Sequence, residues 1–455
     1  MKQKLWPLIL CTMAFVLFNH SVLFAAPILF APPVSTPIGR EVGYLEVEDL
    51  NEDGNPDLVV GKYPGGVDIL WGIGNGWFSS PQLLTNRYSM AAAVADFNND
   101  GHLDIAVANS SNQGSISVYA GDGTGNFSEV VGSPFSVYNS PSDIAVADLN
   151  RDGNPDLCVA NRGGNLVFNG SLSVLLGEGD GTFGPASIFH TGIYAQSLAI
   201  GQFNGDEHHD LAVAHSERNL TILFGDGRGT FGSAADYETG PGPRVVKMGD
   251  LNDDGVLDLV TANSGQFTGP PDQKISTLLG EGDGSFGPAT HIARTSSYGW
   301  YAYSVAIGDL DGDGVPDLVS TNQAEFQDHV SIMRGAGDGT FETAVHLAVT
   351  DGVISNGVRD VVMADLQLGR ETRPGHCRWR KPNGLRLPEL HSAIIRNSGS
   401  LGKQHSTPTG RWNFHSSIHP GASESPQSCG FYGRGWRTSP RLESRRHGLD
   451  LGKII

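Results

Sequence analysis

Short runs of apolar, mostly β-branched residues recur along the chain, and each run follows a stretch of acidic and small polar residues. Leu58–Val60 and Ile105–Ala108 are examples. Continuous runs of this length are typical of strands that are buried on both faces. After each run comes an alternating segment that ends in a glycine-rich turn and an aromatic residue, as in Ser173–Phe183, and then a small, apolar segment such as Ser304–Gly308. The pattern predicts several strands per repeat and an all-β chain.

The acidic stretches share one spacing and recur about every 50 residues. They begin at positions 49, 96, 148, 202, 250 and 309, and Asp365-Leu366 begins a seventh. Such periods are typical of propellers and solenoids, and three or four strands per period describe one propeller blade. The segment from Phe30 resembles the end of a repeat, so we expect it to supply the outer strand of the last blade. The sequence therefore predicts an all-β, seven-bladed β-propeller whose seventh blade is disrupted after Leu366.

Each acidic stretch has the residue types of a calcium-binding loop, and the clearest copy is Asp309–Leu318. Carboxylates at loop positions 1, 3, 5 and 9 offer oxygen atoms to a hard cation that takes six to eight of them. Glycine at position 6 allows a sharp turn, and the backbone carbonyl at position 7 offers one more oxygen. The fourth copy departs from this pattern because Gln202 is at position 1 and Glu207 is at position 6. We therefore expect the fourth loop to bind a cation weakly or not at all.

The charge of the chain is divided unevenly. The formal net charge is -19, but residues 1–369 contain 15 Lys or Arg against 44 Asp or Glu, whereas residues 370–455 contain 15 against 5. An acidic body cannot neutralise phosphates, so the composition argues against nucleic acid as a partner. Much of the negative charge lies in the acidic loops, where bound cations would neutralise part of it.

The N-terminus has the pattern of a secretory signal peptide over residues 1–25. Lys2 and Lys4 precede an apolar run, and Ala25-Ala26 supplies small residues for cleavage. An uncleaved membrane anchor is the alternative interpretation. With cleavage, the mature chain would not span a membrane and would be secreted, periplasmic or on the cell surface. Cys158 takes the place of apolar strand residues in other repeats, which predicts a core side chain, and the four cysteines show no disulfide framework.

Together, the acidic loop, the apolar strand and the Gly-Asp-Gly-Thr-Phe turn resemble the FG-GAP/VCBS repeat family, to which the N-terminal propeller of integrin α chains belongs. The resemblance covers about residues 28–366, within a predicted propeller domain of residues 26–366. It implies a seven-bladed propeller with Ca²⁺ in interstrand loops. EF-hands fit less well because no helices flank these loops and no bidentate Glu follows at position 12. Thrombospondin-like repeats also fit less well because they have cysteines and a shorter period.

Transferred to this sequence, the resemblance implies five or fewer ligands from each loop, through side chains and the carbonyl at position 7. With four carboxylates, the loop at Asp309 is predicted to bind Ca²⁺ most tightly. The implied ligands are Asp49, Asn51, Asp53, Asn55 and Asp57; Asp96, Asn98, Asp100, His102 and Asp104; Asp148, Asn150, Asp152, Asn154 and Asp156; Asn204, Asp206 and Asp210; Asp250, Asn252, Asp254, Val256 and Asp258; and Asp309, Asp311, Asp313, Val315 and Asp317.

We interpret the chain as a binding module for a protein or a glycan, with structural rather than catalytic calcium. The alternative is a propeller-based hydrolase or lyase acting on a polysaccharide or lipid, and a third possibility is a structural fragment of a surface assembly. No nucleophile elbow, zinc motif or phosphate loop is visible. His208-His209 are interpreted as turn residues, and neither Ser216–Arg218 nor His190 has a partner that the sequence can place beside it. Trp300–Tyr303 is a candidate platform for stacking against a sugar.

The repeat vanishes after Leu366, and residues 367–455 become basic without strand or helix periodicity. We interpret them as a disordered, frameshifted tail. A plain basic tail, with Arg441, Arg445 and Arg446 contacting nucleic acid or membrane, is the alternative. One permitted codon choice for Gln367–Arg380, read one nucleotide later, encodes NWDGKPDLVIAGG. Placed after Asp365-Leu366, that peptide completes a seventh acidic loop and its strand.

Sequencing the gene across codon 367 tests the frameshift. We expect the second reading frame to encode an acidic loop of the same spacing, followed by an apolar strand. A second frame that cannot encode the loop would show that the basic tail is the genuine continuation of the chain.

Overall fold

The computed structural model describes residue 38, residues 41–348 and residues 359–364, with gaps at 64, 75, 111–112, 164–169, 193, 217–218, 265–274, 293–300 and 324–328. The predicted signal peptide of residues 1–25, the segment from Phe30 and the tail of residues 367–455 lie outside the described residues. Within the described part of the chain, no helix is both long and apolar enough to cross a membrane.

Six antiparallel sheets, each with four consecutive strands at its centre, account for the described strands and are numbered here as blades 1 to 6. Blade 1 contains β1 Glu41–Glu48, β2 Asp57–Tyr63, β3 Val67–Leu70 and β4 Gln82–Thr85; blade 2 contains β5 Ser89–Ala95, β6 Asp104–Asn109, β7 Ser115–Gly121, β8 Phe127–Glu129 and a short fifth strand, β9 Phe135–Ser136. Blade 3 contains β10 Pro141–Ala147, β11 Asp156–Asn161, β12 Gly170–Leu175 and β13 Ser187–Gly192; blade 4 contains β14 Ala195–Gly201, β15 Asp210–His215, β16 Asn219–Gly225 and β17 Phe231–Glu238. Blade 5 contains β18 Pro243–Gly249, β19 Asp258–Asn263, β20 Ile275–Leu278 and β21 Thr290–Ile292; blade 6 contains β22 Tyr301–Gly308, β23 Asp317–Gln323, β24 His329–Met333 and β25 Val345–Ala348.

The chain is an all-β propeller, as predicted, but the prediction of seven blades is wrong. The first strand of each blade is the inner strand, and the inner strands contact one another in the order β1, β5, β10, β14, β18 and β22. Residues 359–364 come next along the ring but form no strand. A repeat that begins like the others thus contributes no seventh sheet to the described residues.

The core lies between neighbouring blades. One cluster of buried side chains joins Ile116 of blade 2 to Leu157 and Leu175 of blade 3, and each of these three residues is fully buried. Cys158 is also fully buried, in the cluster between blades 3 and 4, which confirms its predicted place in the core. Because the second strand of each blade has blades on both sides, it must be apolar on both faces, and this explains the continuous apolar runs.

Polar side chains near the start of the inner strands join one blade to the next. Asp143 of blade 3 accepts a hydrogen bond from the backbone N–H of Leu198 in blade 4 at 3.0 Å. Ser197 takes the same place in blade 4 and accepts one from the N–H of Val246 in blade 5 at 3.3 Å. Burial of these backbone groups requires such acceptors, because an unpaired N–H in the core is destabilising.

Residues 359–364 close the ring between blades 6 and 1. Asp360 accepts a hydrogen bond from the N–H of Leu45 in blade 1 at 3.2 Å and another from the Ser304 hydroxyl in blade 6. Val362 packs against the core of blade 1, and Val361 and Met363 pack against that of blade 6. The segment therefore repeats the contact between inner strands that Asp143 and Ser197 make elsewhere.

Asp360→Ala tests this closure. Removal of the carboxylate leaves the Leu45 N–H without its acceptor, and we expect a loss of about 1–3 kcal/mol in the free energy of unfolding, measured by urea denaturation. The control is Glu342→Ala, which removes an exposed carboxylate in blade 6. Equal midpoints for the two variants would show that Asp360 does not stabilise the ring.

Candidate functional site

The six acidic loops lie on one face of the propeller, named here the loop face. Each loop joins the end of an inner strand to the start of the second strand of the same blade. Inner strands of a propeller run in the same direction along the central channel, so their ends meet on a single face. The sequence-predicted ligands are thereby brought to one side of the molecule, with one group per blade.

Each acidic loop is folded around its own side chains. In blade 6, the two carboxylate oxygens of Asp309 accept hydrogen bonds from the N–H groups of Asp313 at 3.1 Å and Gly314 at 2.8 Å. Asp313 in turn accepts one from the N–H of Val315 at 2.8 Å. Corresponding bonds recur in the loops that begin at Asp49, Asp96, Asp148 and Asp250. The first and fifth positions are therefore held close together by the loop backbone.

The aspartate at position 9 has a second, structural role that the sequence did not indicate. Asp57 is fully buried and accepts hydrogen bonds from the N–H of Leu50 at 3.0 Å and from that of Gly72, beyond the third strand, at 2.7 Å. The same pair of bonds is made by Asp104, Asp156, Asp210, Asp258 and Asp317. This aspartate ties the acidic loop to the turn after the third strand in all six blades.

Burial makes these aspartates costly to ionise. Burial is the main cause that raises the pKa of Asp57 to about 7 and the pKa values of Asp104, Asp258 and Asp317 to about 6. The neighbouring loop carboxylates also raise these pKa values, and the hydrogen bonds from the backbone oppose the increase. A divalent cation beside them would favour the charged forms. A cation in these loops would therefore compete with a proton for the buried carboxylate.

Blade 6 brings three acidic side chains especially close. One oxygen each from Asp309, Asp311 and Asp317 lie within 4.8 Å of one another. Asp311 replaces the asparagine found at position 3 of the other loops, and Arg334 approaches it with a nitrogen-to-oxygen distance of 3.4 Å. The additional negative charge of this loop is therefore partly balanced by a nearby guanidinium group.

The fourth loop keeps the shape of the others despite its changed sequence. Glu207 adopts a φ of 67°, close to the left-handed conformation of the glycines at position 6 elsewhere, such as Gly101 with a φ of 91°. Asp206 and Asp210 make their expected hydrogen bonds, but Gln202 has no second carboxylate oxygen to offer. This loop keeps the position 6 conformation of the other acidic loops and has fewer carboxylates.

The side chain at loop position 4 also links neighbouring acidic loops to each other. Glu52 of blade 1 contacts His102 Nδ1 of blade 2 at 2.6 Å, and Asn99 of blade 2 donates to Asn154 of blade 3 at 2.9 Å. Arg151 of blade 3 donates to the Glu207 carbonyl of blade 4 at 2.5 Å. These three position 4 residues have φ between 56° and 64°. Variable side chains at this position gave no repeat signal in the sequence.

Comparison with known proteins identifies the repeat. The model of the FG-GAP-like repeat matches residues 49–107, 96–159, 202–261 and 250–320, and that of the FG-GAP repeat matches residues 301–341. The chain belongs to the FG-GAP repeat family. No curated protein sequence matches it.

This FG-GAP propeller is similar to solved structures at low sequence identity. The periplasmic gluconolactonase PpgL of Pseudomonas aeruginosa is 15% identical with a TM-score of 0.50, over 66% of this chain and 84% of that one. BBS1N, solved in complex with ARL6DN, is 13% identical with a TM-score of 0.45, over 74% of this chain and 88% of that one. At these identities the likeness concerns the fold alone.

Other residues of the FG-GAP propeller that the sequence singled out have separate surroundings. The ring of His208 lies over Gly227 of the next turn, and burial lowers the pKa of His209. The ring of His190 packs edge-on against Tyr138, with centroids 6.1 Å apart. Tyr303 faces the central channel beneath Arg244, whereas Trp300, Glu217 and Arg218 lie outside the described residues. The proposed stacking platform therefore stays a prediction.

Glu207→Gly tests the strain in the fourth FG-GAP loop. Glycine has no Cβ to strain at positive φ, so we expect the free energy of unfolding to rise by about 1 kcal/mol. The matched control is Gly153→Glu, which places the same side chain at position 6 of blade 3, where an added Cβ meets no atom within 4 Å. That control should lower stability by a similar amount. A decrease on Glu207→Gly would show that the glutamate side chain, rather than the backbone, stabilises the loop.

Proposed function

We propose that this FG-GAP propeller is a secreted or cell-surface calcium-binding module that recognises a protein or glycan ligand on its loop face. The observation that carries the proposal is the repeated loop geometry, in which acidic side chains are already folded against the loop backbone. The cation and the location of the protein are parts of the same proposal.

The donor set fits calcium. Carboxylate, amide and carbonyl oxygens are the ligands that Ca²⁺ takes, and they recur at positions 1, 3, 5, 7 and 9 of the loops. Asp309, Asp311 and Asp317 supply one oxygen each within 4.8 Å of one another, which is compatible with contact to a single ion. Bound calcium would neutralise these charges and hold each loop in one conformation. Since the same set occurs around the ring, the proposed role of the ion is structural.

The loop face is the surface proposed to bind the ligand. The contacts from Glu52 to His102, from Asn99 to Asn154 and from Arg151 to Glu207 join the loops of blades 1 to 4 side by side. A face built from linked, metal-fixed loops loses little conformational entropy on binding, which favours recognition of a second molecule. Loops on a rigid scaffold are also the usual location of binding residues.

Thermal melts of the full-length chain in millimolar calcium and in EDTA test the metal. For a site whose Ca²⁺ concentration is ten times its Kd, mass action predicts about 1.4 kcal/mol of stabilisation, so several sites should raise the Tm by several degrees. Asp309→Asn combined with Asp313→Asn should reduce the shift. The control is Asp283→Asn in an exposed hairpin turn, which should leave it unchanged. Equal melts in calcium and EDTA would contradict a structural metal.

A binding screen tests the ligand class. The chain is applied to arrays of glycans and of cell-surface proteins, in calcium and in EDTA. We expect a ligand that is retained only in calcium and is lost when loop-face residues, such as Glu52 and Asn99, are both changed to Ala. A ligand retained equally in both conditions would place recognition away from the calcium loops.

A further inference from the structure

The central channel contains a cavity of about 130 Å³ at the end opposite the loop face. Its lining comes from the start of the inner strands and from residues 359–362. Every described inner strand has a β-bulge near its start, where the register with the second strand shifts. Bulges re-aim side chains, and the skipped residues Met90, Ser142, Gln196, Arg244 and Tyr303 all line the cavity.

Positive charge is concentrated at this cavity. Residues 1–369 contain only 15 Lys or Arg, and Arg162, Arg244, Lys247 and Arg359 all line this one space. Arg244 and Arg359 are held over aromatic rings, at 4.6 Å from the centroid of Tyr303 and 5.3 Å from that of Tyr63. Stacking on an aromatic ring fixes the plane of a guanidinium group, and the edge of a planar guanidinium group can bind two oxygens of an anion.

Three carboxylates line the cavity, those of Glu46, Asp143 and Asp360, and the last two are engaged by hydrogen bonds that join neighbouring blades. Asp143 accepts hydrogen bonds from the N–H groups of Leu198 and Ile144, and Asp360 accepts them from the N–H group of Leu45 and the hydroxyl group of Ser304. Among the residues that the structure describes, no carboxylate oxygen lies within 4 Å of a guanidinium nitrogen of Arg162 or Arg244. Asp143 and Asp360 thus join neighbouring blades, and neither forms an ion pair with Arg162 or Arg244.

Within the described ranges, Arg162 is the clearest example of a cationic side chain in this cavity without an ion-pair partner. Its Nε atom is buried and has no hydrogen-bond partner in the described part of the chain. Burial, and then the positive charge of Arg244, lower the pKa of Arg162 to about 10. Gln196, at a bulge in the same lining, also has a buried side-chain oxygen without a partner. Buried polar atoms are nearly always paired, so this set favours a polar occupant of the cavity.

We propose that the channel end formed by Arg162, Arg244 and Arg359 is a binding site for a small oxyanion, a carboxylate or a phosphate. A planar guanidinium group matches two oxygens of either anion, and the bond is strengthened by charge. The cavity volume resembles that of a cavity that holds benzene, so the ligand is limited to about that size. Where the anion carries a hydroxyl group, as hydrogen phosphate does, the side-chain oxygen of Gln196 can accept its hydrogen. This site is separate from the loop face and does not depend on calcium.

Isothermal titration of the full-length chain with succinate and with inorganic phosphate tests the site. Both are used at matched ionic strength and at a free calcium level that keeps calcium phosphate in solution. We expect saturable binding of at least one anion, and the stronger of the two identifies the oxyanion class. Arg162→Gln and Arg244→Gln should each weaken binding at least about tenfold, because each removes a charge-assisted hydrogen bond.

Arg228→Gln is the matched control, since Arg228 is exposed in a hairpin turn of blade 4 and the substitution changes the net charge equally. Arg162→Lys keeps the positive charge but lacks the planar guanidinium group that contacts two oxygens, and we expect an intermediate affinity. A melt of each variant establishes that it folds. Absence of saturable binding to the wild-type chain, or equal affinity in Arg162→Gln, Arg244→Gln and Arg228→Gln, would overturn the proposal.

Discussion

A buried aspartate in each blade accepts two backbone hydrogen bonds, and the loop face depends on this arrangement. Asp57 and its five counterparts join the acidic loop to the turn that follows the third strand. Without these acceptors, two N–H groups per blade would be buried unpaired. The same carboxylate stands at the last ligand position of the loop, so core and candidate metal site share one residue. An ion bound at this position would therefore be coupled to the packing of the core as well as to the surface.

Much of this structure could be predicted from the sequence because the same residues make the same contacts in each repeat. The acidic loops, the buried second strands and the core position of Cys158 follow from residues that recur in register. The number of blades does not follow, because it depends on whether one partial repeat pairs into a sheet. Asp365-Leu366 looked like the start of another blade, but the preceding segment closes the ring through Asp360 without a strand.

Features that combine residues from different blades, without a shared motif, were harder to predict. Arg162, Arg244 and Arg359 come from distant points in the sequence and share no motif, and only the closed ring brings them to one cavity. The links between neighbouring loops likewise use Glu52, Asn99 and Arg151, three different residue types at one position. The two ends of the channel consequently differ in charge. Carboxylates dominate the loop face, whereas the opposite end combines three guanidinium groups and Lys247 with three carboxylates. Proximity across repeats cannot be read from the spacing within one repeat.

A crystal structure of the chain grown at limiting calcium tests the proposed metal sites. We expect electron density for an ion, coordinated by oxygens at about 2.3–2.6 Å, in the acidic loops of blades 1, 2, 3, 5 and 6. Occupancy should be highest at Asp309 and lowest at the Gln202 loop. Loops that keep their conformation without any ion at millimolar calcium, or equal occupancy in all six at limiting calcium, would contradict the proposal.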